Sequence, residues 1–262
     1  MEETLAEIEF LALSPNRVTV LERLADGVHT RSELGEATGA SQATLGRILS
    51  DFEERRWVER TGGAYAATAT GRLVAEGFRD LLDVMDAERE LRDVVAYLPT
   101  EELGFDFCHL ADATVVTPTE TRPNAPLQRL LALVREADSV TAFSHALNDQ
   151  SLGAVADRLG EQEFEAVLTR AAVDSLLADD VLRRRLRTVL DSDSAGIRVY
   201  DDGIPLAVTI GDDLVNILVR DDRGVVQAAV ETENPAVREW AERRYEHYRV
   251  HSEPLSAASL AE

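Results

Sequence analysis

Thr30-Arg31-Ser32-Glu33-Leu34-Gly35-Glu36-Ala37-Thr38-Gly39-Ala40-Ser41-Gln42-Ala43-Thr44-Leu45-Gly46-Arg47-Ile48-Leu49 is the stretch whose reading decides how the first third of the chain folds. Thr30 with Glu33 three residues on is a capping box, so a short helix opens there and stops at Gly39. Ser41 caps the next helix after a tight turn. That helix is predicted over residues 42 to about 56, where Leu45, Ile48, Leu49 and Phe52 recur at the spacing of one buried stripe. Its opposite face is centred on Ala43, Arg47 and Ser50, flanked by Gln42, Thr44 and Gly46. Gly46 inside a helix costs about 1 kcal/mol relative to Ala, which suggests close approach of something, either a ligand or a packed neighbour.

Outward from this stretch the punctuation stays regular. An apolar helix runs through Leu5, Ile8, Leu11 and Ala12. Ser14 is expected to cap a second helix with Pro15 at its first position, Gly27 beyond its end and an inner face of Val18, Leu21 and Leu24. After the Ser41 helix the period changes: Trp57-Val58-Glu59-Arg60 and Tyr65-Ala66-Ala67 are strand-like runs around Thr61-Gly62-Gly63, a glycine hairpin. Thr70 and Gly71 then open a long helix predicted to reach Leu98, where Pro99 ends it. Helix, tight turn, capped helix and glycine hairpin in this order describe a winged helix-turn-helix.

Beyond Pro99 strands and helices alternate. Strands are predicted at residues 105–109, 115–117, 140–143, 164–169, 197–200, 206–210, 214–219 and 225–230, and helices at 126–137, 152–159, 180–190 and 235–249. The last four strands, joined by Asp- and Gly-rich turns, read as an antiparallel meander after a parallel βα half. The expected architecture is therefore α+β or α/β: a winged helix-turn-helix over residues 1–69, a connecting and dimerising helix over 70–98, a mixed-sheet α/β domain over 99–251, and a frayed tail over 252–262.

Composition narrows the setting. The 262 residues hold 49 acids and 27 bases, a net charge of −22, and every base is arginine. Carboxylates that hold hydration, arginine in place of lysine, and self-repulsion screened within about 3 Å at molar salt point to a halophilic, high-salt interior. A merely acidic soluble protein is the alternative. Cys108 alone excludes an internal disulfide framework and reads as core packing rather than as a redox switch. An acidic start and no apolar run of spanning length lead to the expectation of a cytoplasmic chain without a membrane partner.

Acid is unevenly spread. Residues 37–50 contain no carboxylate, while Arg31, Arg47, Arg55, Arg56 and Arg60 surround the free face of the Ser41 helix. A second acid-free run over residues 121–135 shows that this is not unique. Small, polar and basic side chains suit base edges in a major groove: Arg47 for a guanine, Gln42 for an adenine, Ala43 or Thr44 for a thymine methyl. Ser41 and the free N–H groups behind it suit phosphate, and Ser50, Arg31, Arg60 and Thr61 complete the expected double-stranded DNA contact. A winged helix used only for protein contacts is the alternative.

Residues 41–49, followed by Glu53-Glu54-Arg55-Arg56-Trp57-Val58 and by Tyr65-Ala66-Ala67-Thr68-Ala69-Thr70-Gly71-Arg72, resemble the reading helix, wing and exit helix of archaeal winged-helix regulators. The two-domain layout resembles those archaeal regulators whose second domain is of the methanogenesis and filament regulator type. That resemblance implies a transcription regulator with an α/β effector domain, distantly TrmB-like and related in shape to the phospholipase D fold.

Further sites follow from position. The long helix presents a broad apolar surface, Leu73, Val74, Phe78, Leu81, Leu82, Met85, Leu91, Val94 and Leu98, part of which is expected to cover the second domain while the rest suits a homodimer seam; a purely intramolecular linker helix is the alternative. A small-molecule effector pocket is expected at the carboxyl ends of the parallel strands, where His109, Thr117, Ser144, His145 and Thr169 fall, with Arg122 as an anion partner. Each of these also fits an ordinary cap or turn. No enzyme is expected: the chain lacks the lysine of a phospholipase D site, a nucleophile elbow, a phosphate loop and a dinucleotide fingerprint. No cofactor or metal is expected, although His247 and His251 stand one helical turn apart and leave a shared metal open. An enzyme with an appended winged helix and a protein-interaction adaptor are the rival readings.

Overall fold

The computed structural model describes residues 1–260. The chain divides into two units, Met1–Val84 and Met85–Glu262.

The first unit begins with α1 (Glu2–Ala12), α2 (Pro15–Asp26), α3 (Arg31–Thr38) and α4 (Gln42–Glu54). Strands β1 (Val58–Thr61) and β2 (Ala64–Ala67) follow, and then α5 (Ala69–Leu91), which runs on past the unit boundary. The capping box at Thr30 forms as expected, with Thr30 Oγ1 accepting from the Glu33 N–H and Glu33 accepting from the Thr30 N–H. Ser14 stands at the start of α2 but makes no side-chain cap bond.

Helix α4 buries Leu45, Ile48, Leu49 and Phe52. It ends two residues earlier than its sequence suggests. Arg56 adopts a left-handed φ of 58°, the Trp57 N–H returns to the Phe52 carbonyl at 2.9 Å, and the Arg56 N–H to Glu53 at 3.0 Å. This is a Schellman closure with arginine in the position glycine usually takes.

Gly62 and Gly63, at φ 58° and 91°, form the two-residue loop between Thr61 and Ala64. A loop with both φ positive matches the twist of the strands it joins. His29 adds a bridge to Tyr65 that the sequence did not announce, with N–H to O distances of 2.9 and 2.8 Å.

In the second unit α5 stops at Leu91 rather than Leu98, and a 3-10 turn spans Val95–Tyr97. Adjacent β-branched residues, Val94 and Val95, weaken helix there. Leu91, Val94 and Leu98 consequently enter the core of this unit, as the part of that apolar surface expected to cover the second domain. The strand expected at 105–109 is also absent. Phe107–Leu110 is a 3-10 turn capped by Asp106, whose carboxylate accepts from the Cys108 N–H at 3.1 Å, a local bond that competes with a ladder.

The remaining elements are β3 (Thr114–Val116), α6 (Ala125–Glu136), β4 (Ser139–Ser144), α7 (Asp149–Ala156), β5 (Glu163–Thr169), α8 (Arg170–Ala178), α9 (Asp180–Leu190), β6 (Ala195–Tyr200), β7 (Ala207–Gly211), β8 (Leu214–Arg220), β9 (Val226–Thr232), α10 (Pro235–Val250) and β10 (Glu253–Pro254). The strands form one sheet in the order β10-β6-β5-β4-β7-β8-β9-β3.

The last four expected strands are not one meander. β6 pairs in parallel with β5, whereas β7 crosses back to lie antiparallel beside β4, and only β7, β8 and β9 run as a meander. The sheet therefore grows in both directions from β4, a topological switch point. Helices α6, α7, α8 and α9 supply the apolar cover of one face. α10 and the segment from Leu91 to Leu110 supply that of the other.

The tail expected to fray from Ser252 is partly ordered. Ser252 is buried, β10 pairs with β6, and the Leu255 N–H donates to the Ile197 carbonyl at 2.8 Å. Residues 261–262 of that expectation lie outside the described residues.

Candidate functional site

In the first unit the α4 strip is turned outward. Ser41, Gln42, Ala43, Thr44, Arg47 and Ser50 are all exposed, while the stripe from Leu45 to Phe52 is buried beneath them. Ser41 Oγ accepts from the Thr44 N–H at 3.2 Å and shares a 2.9 Å hydrogen bond with the Thr44 hydroxyl. Arg47 makes no ion pair among the described residues.

Near the foot of the helix Asp51 pairs with Arg17 at 3.6 Å and Arg55 with Glu7 of α1 at 2.7 Å, while Glu53 and Glu54 are exposed in its last turn. Arg55 also stacks 3.8 Å over the Phe10 ring. It is thus held by the fold and is not part of a free basic rim.

Arg31 differs from Arg47 in the same way. It is half-buried, its Nη2 donates to the Gln42 carbonyl, and its Nε is buried without a partner. The guanidinium lies over Gly46, where a Cβ would stand 2.5 Å from Arg31 Nη2. The glycine thus makes room for an arginine of α3, which braces α3 against α4. In the wing Arg60 is exposed with its guanidinium 5.2 Å from the Tyr65 ring centre, and Thr61 is exposed at the hairpin tip.

In the second unit the strand ends gather some of the expected effector residues and scatter others. Ser144, buried at the end of β4, donates to the Ala146 carbonyl at 2.6 Å. Thr169, buried at the end of β5, caps α8 by accepting from the Ala172 N–H at 3.3 Å and donates to the His145 carbonyl at 3.4 Å. His145 hydrogen-bonds through its ring to the Ile204 backbone, and its Nδ1 is buried without a partner. Burial and then the charge of Arg220 hold its pKa below the usual histidine value.

Thr117 and Arg122 follow β3, the edge strand three places beyond β7, and both are exposed. His109 sits in the 3-10 turn before β3 and not on a strand end. Cys108, in the same turn, is half-buried.

Sequence reasoning missed Arg220. It ends β8, which runs in the same direction as β4 because both pair antiparallel with β7, so its side chain arrives at the same sheet end as Ser144 and His145. Knowing the direction of β8 would have found it. Beside it a small cavity, open at its mouth, lies between the sheet and α6–α7, with Ser144, Asn148, Ser151, Thr209 and Arg220 as its polar lining.

Among the described residues no group of three or more metal-type ligands occurs. His247 and His251 have ring centres 4.8 Å apart, and His251 Nδ1 contacts the His247 carbonyl at 2.7 Å. No helix among the described residues is long and apolar enough to cross a membrane.

Residues 5–90 match the family of the HVO_A0261 N-terminal domain, and residues 123–251 that of the middle domain of the methanogenesis regulatory protein FilR1. Among solved structures, TrmBL2, described as an archaeal chromatin protein, is 15% identical over 95% of this chain and 98% of its own, with a TM-score of 0.40. The phospholipase D family member Nuc from Salmonella typhimurium is 13% identical over 55% of this chain and 99% of its own, at a TM-score of 0.43. NucT from Helicobacter pylori is 10% identical over 55% and 98%, at 0.41. The resemblance read from the sequence is borne out domain by domain: the first domain is similar to the HVO_A0261 N-terminal domain and the second to the middle domain of the methanogenesis regulatory protein FilR1.

Proposed function

We propose that the protein is a sequence-specific DNA-binding transcription regulator, a binding protein and not an enzyme, that acts as a homodimer under the control of a small molecule bound by its second unit. The observation that carries this reading is the outward strip of α4, Gln42, Ala43, Thr44, Arg47 and Ser50, exposed and free of acidic residues in a chain with 49 of them. A strip of that chemistry fits the major groove, with Arg47 addressing a guanine edge and the wing residues Arg60 and Thr61 beside it. Arg31, tied to the Gln42 carbonyl, serves this reading by fixing the pose of α4 rather than by touching DNA. The regulator families matched by the two domains support the same reading.

A dimer would present two such helices to successive turns of a palindrome. Its seam is the apolar surface that α5 leaves exposed, including Leu73 at 68% and Met85 at 54%. On this reading the functional division is a reading head over 1–69, a helix that pairs two chains, and a sensing domain up to residue 251. In a halophilic interior counterion release contributes little, so affinity rests on base contacts and shape.

The test is selection of double-stranded fragments from a random library by the full chain in molar KCl. An enriched palindromic sequence is expected. Arg47→Ala then weakens binding to that sequence by about 1–3 kcal/mol and relaxes preference at one base position. Recovery without any enriched sequence overturns the reading and favours an adaptor.

A further inference from the structure

We infer that the second unit binds a small organic carboxylate with an apolar body, its acid group against Arg220 and its body in the cavity between the sheet and α6–α7. The inference rests on reading this unit as the sensing domain.

Arg220 carries the argument. Its Nη1 donates to the Gly224 carbonyl at 3.0 Å, its Nε is buried with no partner, and it makes no ion pair among the described residues. The neighbouring Asp221 is committed to its own turn, accepting from the Val225 and Arg223 N–H groups and from Gln227 Nε2 at 2.9 to 3.0 Å. A guanidinium does not lose its proton in a protein, so an unpaired and partly desolvated one calls for an anion.

Two further polar atoms are orphaned at the same place. Ser151 Oγ, from α7, is buried without a partner and lines the same cavity. His145 Nδ1, also buried and unpartnered, lines an adjoining opening that shares Arg220 and Leu218 with it. Three unsatisfied groups from three separate elements converge where native proteins rarely leave one.

The rest of the lining selects the ligand. Val134, Val155, Phe164, Leu168 and Leu218 offer an inorganic anion nothing, while a neutral apolar molecule would leave the guanidinium uncompensated. Arg220 is the one cation among the residues that line the cavity. A planar monoanion taking its Nε edge therefore suits the site better than a dianion.

The full chain in molar KCl is titrated with hexanoate and with benzoate, and thermal unfolding is followed. Both acids are expected to raise the Tm saturably by a few degrees. Hexanol, with the body alone, and inorganic phosphate, with the charge alone, leave it unchanged. Arg220→Gln weakens the response to both acids by about tenfold or more.

The wild-type comparison of hexanoate with hexanol needs no variant, so misfolding of Arg220→Gln does not blunt the test. No shift with either acid, an equal shift with hexanol, or a shift reproduced by phosphate each overturns the proposal. No DNA is present in the measurement. A negative result with selective DNA binding intact therefore removes the ligand class alone, whereas loss of DNA selectivity removes the regulator reading on which it rests.

Discussion

The two units handle an uncompensated arginine in opposite ways. In the first, Arg47 stands in solvent on a helix whose apolar stripe is fully buried beneath it. In the second, Arg220 is half-buried at a strand end, with Ser151 and His145 left unsatisfied nearby. An exposed charge costs the fold little, so the first surface is built for a partner that arrives from outside. A desolvated one is costly, so the second is built for something small enough to enter.

The sharpest way to break this contrast is to destabilise one unit alone. Phe52 is fully buried in the core of the first unit, and Phe52→Ala is expected to cost that unit about 3–5 kcal/mol. The chain has two tryptophans, Trp57 in the first unit and Trp240 in the second, so versions keeping one or the other report each unit separately. The Trp57 transition should fall to lower denaturant while the Trp240 transition stays. A joint shift would mean that the two behave as one cooperative body.

Gly71 gives the next effect. A Cβ there would overlap the Trp57 carbonyl oxygen, which already accepts from the Thr68 N–H at 2.8 Å and from Thr68 Oγ1 at 3.2 Å. Backbone cannot swing aside as a side chain does, so Gly71→Ala is expected to cost about 1–3 kcal/mol, read by the same Trp57 transition.

Gly46 tests whether the reading strip is braced from within. Gly46→Ala gains about 1 kcal/mol of helix propensity but pushes Arg31 off the Gln42 carbonyl, leaving a net change under about 1 kcal/mol. In an Arg31→Ala background the same substitution should stabilise by the full propensity gain, about 1 kcal/mol. Equal effects in both backgrounds would show that Arg31 braces nothing.

These cases also mark what was legible in the sequence. The stripe of Leu45, Ile48, Leu49 and Phe52, the Thr30 box and the Gly62-Gly63 loop are local patterns, and each forms where the residues place it. The sequence signals a close approach at Gly46 but does not name Arg31, fifteen positions away, as the occupant. The early end of α5, before the β-branched pair Val94 and Val95, carries Val94 and Leu98 into the core of the second unit, an outcome that apolar periodicity does not distinguish from one more helical turn. The polar cluster was half legible. Ser144, His145 and Thr169 follow from strand ends, but Arg220 depends on β7 crossing back beside β4, a pairing that no local pattern encodes.

The smallest expected effect isolates that cluster. His145 is held below its usual pKa of 6.5 by burial and by the charge of Arg220, against the hydrogen bond to the Ile204 backbone. Asp221 and Asp222 line the same opening, the first tied to its turn. Because the folded pKa lies below the unfolded one, the unfolded chain takes up more protons in the interval between them. His145 therefore subtracts nothing above about pH 6.5, and its penalty grows as the pH falls from there through the folded pKa. The Trp240 transition of the wild type should lose stability over that interval more steeply than that of His145→Asn, the difference between the two cancelling the carboxylates that both share. Parallel slopes would mean that the imidazolium finds compensation at the sheet end, and that the guanidinium beside it is not the isolated cation that an acid ligand requires.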